Sequence, residues 1–187
     1  PCLCVDIFDG TDEIRPGGAA LNFAAHASDF NHIDIALISV IGNDTYAEFV
    51  QGFIRMANDG WEQGWHERNG GNLSYRVKPE EVEQVKENFT AKEWQPIGTS
   101  VPKLAGEYFL VTGSGKFFRN VIIKPEDSIC MIELDEKGEN YRIVWGLVNG
   151  GRPTSELPSH LMNHEVKMLA SGGKHRVIYH AHTTNVI

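Results

Sequence analysis

At 187 residues, with 41% hydrophobic and 22% charged side chains, the chain has the size of one ordinary domain and too much apolar content for disorder. Its formal net charge of -8, with no basic patch, argues against a nucleic-acid backbone or an anionic membrane as principal partner and leaves small anions held by local loops. Three cysteines, Cys2, Cys4 and Cys130, form no CxxC pair and fit a reducing compartment better than a disulfide framework, while no apolar run approaches the ~18–20 residues of a membrane span.

In chain order, the sequence opens without a methionine, directly in strand-like residues 1–7, as a piece cut from something longer would. Asp9-Gly10-Thr11-Asp12 reads as a turn. Arg15-Pro16-Gly17-Gly18 then leads into an alanine-rich helix over 19–27, whose first N–H groups can receive hydroxyls or an anion, with a plain tight turn as the alternative. Residues 33–41 form a second buried strand closed by Gly42-Asn43-Asp44. Beyond Tyr46, Phe49, Phe53, Ala57, Trp61 and Trp65 recur at four-residue spacing and define the core face of a long helix. That helix runs out in Glu67-Arg68-Asn69-Gly70-Gly71-Asn72, whose glycines allow backbone N–H groups to turn toward a ligand and whose two Asn side chains add donors. A strand over 73–77, a charged helix over 79–89 with Pro79 in its first turn, and an aperiodic loop over 90–106 follow.

The strand at 107–111 leads into Thr112-Gly113-Ser114-Gly115-Lys116, where hydroxyls, N–H groups and a Lys suit a phosphate, although the GxxxxGK[ST] spacing of a P-loop is missing and an ordinary turn is the competing reading. Residues 128–134 and 141–147 read as antiparallel strands around 135–139. A helix opens at Arg152-Pro153-Thr154-Ser155-Glu156-Leu157-Pro158-Ser159-His160, capped by Thr154 or Ser155, with Glu156 completing the cap. It carries His164 one turn after His160; without the glutamate of an HExxH motif, that pair reads as structural. The final strand, 177–185, projects His180 and His182 from one face, spaced either to share a metal or to stand as two ordinary histidines.

Two resemblances follow. Strand, Gly17-Gly18, helix, strand and Gly42-Asn43-Asp44 make residues 1–48 similar to the N-terminal part of ribokinase-like sugar kinases of the fructosamine-kinase type, without a counterpart of that family's catalytic Asp or ATP loops. From residue 49 onward, Gly64-Trp65-His66-Glu67-Arg68-Asn69-Gly70-Gly71-Asn72-Leu73, Val111 to Asn120, Trp145-Gly146-Leu147, Pro153 to Pro158 and His180-Ala181-His182 resemble the class II aldolase/adducin family in order and spacing. The domains expected are thus 1–48 and a C-terminally truncated aldolase-like 49–187, giving an α/β fold with helices packed on a largely antiparallel sheet behind a small strand-helix-strand unit.

The second resemblance implies zinc bound by His180 and His182 with a third histidine beyond the last residue, Glu156 as catalytic acid/base, and Asn69, Asn72, Ser114, Gly115, Thr154 and Ser155 around a substrate phosphate. It implies retro-aldol cleavage of L-rhamnulose 1-phosphate to dihydroxyacetone phosphate and L-lactaldehyde, in a cytoplasmic homo-oligomer, a tetramer in intact relatives. The alternatives are a chimeric or truncated protein with only structural or binding roles, and a sugar-binding kinase remnant.

Overall fold

The structure is a computed structural model that describes residues 4–7, 14–17 and 46–183. The chain divides into two compact units, 1–45 and 46–187. In the first, β1 (Cys4–Ile7) pairs antiparallel with β2 (Ile14–Gly17), Cys4 opposite Gly17 and Ile7 opposite Ile14. Residues 15–17 are therefore extended where the sequence predicts the approach to a helix. Pro16 suits that conformation, since its fixed φ is compatible with an extended backbone and an edge strand does not need its missing N–H. The turn at 9–12, the helix at 19–27 with Gly18, and the strand at 33–41 lie outside the described residues.

The second unit is built on a six-stranded sheet in the order β4 (Gln95–Pro96), β7 (Asn140–Gly146), β6 (Ile129–Leu134), β5 (Tyr108–Thr112), β3 (Asn72–Arg76), β8 (Val177–His180). Every neighbouring pair is antiparallel, as the sequence predicts. Strand side chains alternate between faces, and the central strands are apolar on both. Leu110, Ile129, Met131 and Val144 belong to one core with Leu73, while Phe109, Val111, Cys130, Ile132, Leu134 and Ile143 belong to the other. Helix α1 (Glu48–Glu62) closes the first core and α4 (Leu157–Ser171) the second; α2 (Pro79–Val85) and the short α3 (Pro125–Ser128) sit between strands.

In α1 the buried residues are Val50, Phe53, Ile54, Ala57 and Gly60. Phe49 and Trp61 are only half-buried at the core's margin, and Trp65 lies beyond the helix at 41% exposure, so the four-residue stripe predicted from sequence is displaced. A strict spacing of four drifts around a helix of 3.6 residues per turn, whereas 50, 53, 54 and 57 follow the mixed spacing that keeps one face inward. The segment 90–106, read as loop, contains β4 and buries Ile97, Val101 and Leu104 in the α4-side core. Its backbone bonds from Ile97 N–H to the Glu139 carbonyl and from Val101 N–H to the Gly138 carbonyl, both 2.9 Å, fasten it there without any sequence period.

Candidate active site

In β3, Leu73 and Tyr75 pack on the α1 side, so alternation turns Asn72, Ser74 and Arg76 to the α4 side. All three are buried polar side chains. β8 lies antiparallel to β3 with His180 directly opposite Asn72, and such partners project from the same face. Across from them, Glu156 occupies the residue before α4, with Pro158 setting the first helical turn. His180 Nδ1 and Glu156 Oε2 are 3.0 Å apart, and both side chains are only partly exposed. β8 ends at His180, short of the predicted 185, yet the His182 ring still stands 4.9 Å from that of His180. The His182 N–H holds that position by bonding to the Trp65 carbonyl at 2.8 Å.

Two glycines explain how the 66–72 segment comes so close. A Cβ on Gly70 would meet the His182 ring at 2.7 Å, and one on Gly71, at φ +81°, would meet His66 Nδ1 at 2.5 Å and the His180 carbonyl oxygen at 2.6 Å. These glycines provide close approach to β8; the Gly70 N–H is taken by the Glu67 carbonyl at 2.7 Å, whereas the Gly71 N–H has no protein acceptor among the described residues. Asn69 is exposed in that same turn. Buried His66 braces it from below, with Nδ1 3.0 Å from the Gly70 carbonyl, Nε2 2.6 Å from the Tyr179 hydroxyl, and its ring stacked on Phe118 at 3.6 Å. Burial lowers its pKa and favours the neutral ring.

The two hydroxyl-rich motifs, some forty positions apart in sequence, are joined by backbone pairing. Gly113 bridges Pro153, the Thr154 N–H donates to the Thr112 carbonyl at 2.9 Å, and the Ser114 N–H donates to the Arg152 carbonyl at 2.9 Å. Thr112 Oγ1 accepts from the Leu73 N–H at 3.1 Å, which ties both to the Asn72 end of β3. Ser114, Gly115, Ser155 and Glu156 are exposed, Thr154 is buried, and among the described residues neither the Gly115 nor the Ser155 N–H has a protein acceptor. Lys116 does not join this group; its ammonium pairs with Asp127 at 3.1 Å. The helix cap also departs from expectation. Glu156 itself holds the cap position and no side chain caps α4; Thr154 Oγ1 accepts instead from the Glu156 N–H at 3.3 Å.

Beneath these residues His160 and His164 are 2% and 0% exposed, and three of their four ring nitrogens are engaged. Ser74 Oγ lies 2.6 Å from His160 Nδ1 and 2.8 Å from His164 Nε2, and His160 Nε2 bonds to Asn72 Oδ1. Desolvation pushes His160 down to about 4, against the pull of Glu156, and His164 down to about 3 with help from His160, Arg76 and Arg176. Both are neutral near pH 7 and packed into the interior; their i, i+4 spacing could serve a metal, and the missing HExxH glutamate points to the structural role they take. Ser74, His66 and Tyr179 have no role of their own in the sequence, and Thr112 stands there only as one hydroxyl of the 112–116 loop. The signal for Ser74 is the polar alternation of Asn72, Ser74 and Arg76 inside a strand whose other face is apolar.

Among the described residues no group of three or more His, Cys, Asp or Glu side chains gathers to hold a metal ion. What the chain does assemble is two imidazoles and a carboxylate. With Nδ1–H turned to Glu156, His180 presents its Nε2 lone pair, the arrangement that metal-bound histidines adopt with an outer carboxylate. The donor set suits zinc in kind and supplies two of the three or four ligands it takes. A cavity of about 500 Å3 lined by Arg76, Glu107, Tyr108 and Arg176 includes none of these residues.

The profile of the Class II Aldolase and Adducin N-terminal domain matches residues 51–187. The chain belongs to the class II aldolase/adducin family. Residues 1–50 lie outside the match to this class II aldolase/adducin domain. The chain is 54% identical over 140 residues to a rhamnulose-1-phosphate aldolase of Mannheimia succiniciproducens, covering 74% of this chain and 52% of that protein. It is 46% identical over 146 residues to one of Escherichia coli, covering 78% and 53%. It thus spans about half the length of the curated relatives it matches. The crystal structure of a sugar-phosphate aldolase from Thermotoga maritima is similar, with a TM-score of 0.59, 29% identity, and coverage of 74% of this chain and 54% of that one. Among the described residues no helix is long and apolar enough to cross a membrane.

Proposed function

We propose that residues 51–187 form the metal- and phosphate-holding part of a zinc-dependent rhamnulose-1-phosphate aldolase, a lyase that cleaves L-rhamnulose 1-phosphate to dihydroxyacetone phosphate and L-lactaldehyde. The observation that carries this is the meeting of Glu156 with His180, beside His182 and opposite Asn72, from three separate elements. Zinc on His180 and His182 would supply Lewis-acid stabilisation of the charge left on the ketone fragment as the carbon–carbon bond breaks. Glu156, exposed at the mouth of the group, takes the proton of the hydroxyl that becomes the aldehyde and returns a proton to the three-carbon fragment. Ser114, Gly115, Thr154 and Ser155 offer hydroxyls and two unengaged N–H groups to the phosphate, with Asn69 and Asn72 at its rim, so binding energy from a non-reacting group orients the reacting one. The free, buried thiol of Cys130 supports the reducing cytoplasm as its compartment. The resemblance also implies a homo-oligomer, and a homotetramer is the assembly we propose.

The test is zinc titration followed by a coupled assay for dihydroxyacetone phosphate released from L-rhamnulose 1-phosphate, with His180→Ala and Glu156→Gln alongside. Turnover that neither substitution alters would sink the assignment. The two-histidine donor set favours one second reading, a protein that binds a phosphorylated ligand without turning it over. Saturable binding with no product at any zinc concentration would establish it.

A further inference from the structure

Behind the site, four polar groups run in a line from the interior of α4 to the surface of β3: His164, Ser74, His160, Asn72. Their hydrogen bonds have a direction, and one atom fixes it. His164 Nδ1 is buried with no partner. Were the proton of this neutral ring on Nδ1, a buried N–H would go unsatisfied, whereas an unpaired lone pair is more readily tolerated. The proton therefore sits on Nε2, which donates to Ser74 Oγ. The Ser74 hydroxyl, its lone pairs turned to His164, donates in turn to His160 Nδ1. That leaves the single proton of His160 on Nε2, donating to Asn72 Oδ1. An amide whose oxygen is held in this way has its NH2 on the opposite side.

Where that NH2 faces follows from the surrounding contacts. Asn72 lies opposite His180, His180 meets Glu156, and Glu156 is one turn of α4 from His160, whose N–H bonds to the Glu156 carbonyl at 3.0 Å. The four residues close a ring at the end of β3 to which Leu73–Thr112 and Thr112–Thr154 bonds join the two loops, and the Asn72 NH2, with no protein partner among the described residues and not sealed from solvent, is open there.

The geometry points to Ser74, His160 and His164 as positioning residues that lock Asn72 in the rotamer presenting its NH2, as a donor, to the anionic group of the substrate. This rests on the phosphate reading of the site proposed above and deepens it. A free asparagine flips between two nearly isosteric states, one of which would turn a carbonyl oxygen on the anion. The buried line of hydrogen bonds, whose far end at His164 is one turn of α4 beyond His160, excludes that state.

The test uses the whole chain with zinc present and inorganic phosphate as the probe. Long-range nitrogen–proton NMR of the histidine rings should show the Nε2–H tautomer for both His160 and His164 in the unaltered protein. Phosphate affinity should fall about tenfold in Asn72→Asp, which keeps the acceptor for His160 and loses the donor, and by several-fold in His164→Leu, far from the anion. His164→Gln, which restores a donor toward Ser74, should recover most of the affinity. A His160 ring protonated on Nδ1, or equal loss of affinity in His164→Leu and His164→Gln with both variants folded, overturns the positioning role alone. Unaltered tautomers in a protein that binds no phosphate at all would instead overturn the anion site itself, and the role of the Asn72 amide with it.

Discussion

The unit carries two histidine pairs that spacing alone presents as candidates for the same task. His180 and His182 are two apart at the end of a strand, partly exposed, with ring nitrogens to spare; His160 and His164 are four apart on a helix, buried, with three of their four ring nitrogens bonded. The difference lies in the partners each location supplies. A buried imidazole must be satisfied by its neighbours and becomes part of the scaffold, whereas one at a strand end beside a carboxylate keeps a lone pair for a ligand. Histidine chemistry in this fold is therefore decided by the element that bears the residue.

The contrast can be broken most forcefully at the exposed pair. On the function proposed above, Glu156→Gln or His180→Ala should lower the release of dihydroxyacetone phosphate by about 10^2–10^4-fold in the coupled assay, while leaving thermal stability nearly intact. The buried pair should respond in the opposite sense. His164→Ala removes a fully buried ring packed 5.1 Å from Phe109 and strands the Ser74 hydroxyl, and denaturant unfolding should show a loss of about 2–4 kcal/mol. Gly71→Ala, which presses a methyl on His66 and the His180 carbonyl at positive φ, should cost about 1–3 kcal/mol and shift the His180 resonances.

Acid sharpens the same contrast. Folded-state pKa values of about 4 for His160 and about 3 for His164 lie below the ordinary 6.5, so the unfolded chain binds more protons between those limits. Stability from this pair is complete above pH 6.5 and declines as pH falls toward 3, measurable as a falling denaturation midpoint at pH 7, 5 and 4. His164→Leu should flatten part of that decline. At the bottom of the scale, His182→Ala should change stability by no more than about 0.5 kcal/mol and Lys116→Ala, which loses only the partly exposed pair with Asp127, by less than about 1 kcal/mol.

Much of the sheet is legible in the sequence because its strands are apolar runs between turn residues. β6, β7 and the hairpin between them lie within a residue or two of their predicted places. The motifs around Asn72, Ser114 and Glu156 are legible as well, and their resemblance to one family groups them. What single residues do inside the group is not. Lys116 reads as an anion ligand until the fold sets Asp127 beside it; the Gly70 N–H reads as a donor to a ligand until the fold turns it to the Glu67 carbonyl. Ser74 is one small polar residue in a strand, and its partners are 86 and 90 positions away. Irregular anchors such as Ile97, Val101 and Leu104 leave no period to detect, although each is buried. Local pattern reports the element, and only long-range register reports the neighbour.

The bridge from Gly113 to Pro153 has a kinetic corollary. It unites segments some forty positions apart whose separation the intervening hairpin and the β5–β6 ladder shorten, so the anion site proposed above is expected to form late in refolding. A phosphorylated ligand would then recognise the finished state alone and stabilise it by mass action, raising the melting temperature in step with its concentration.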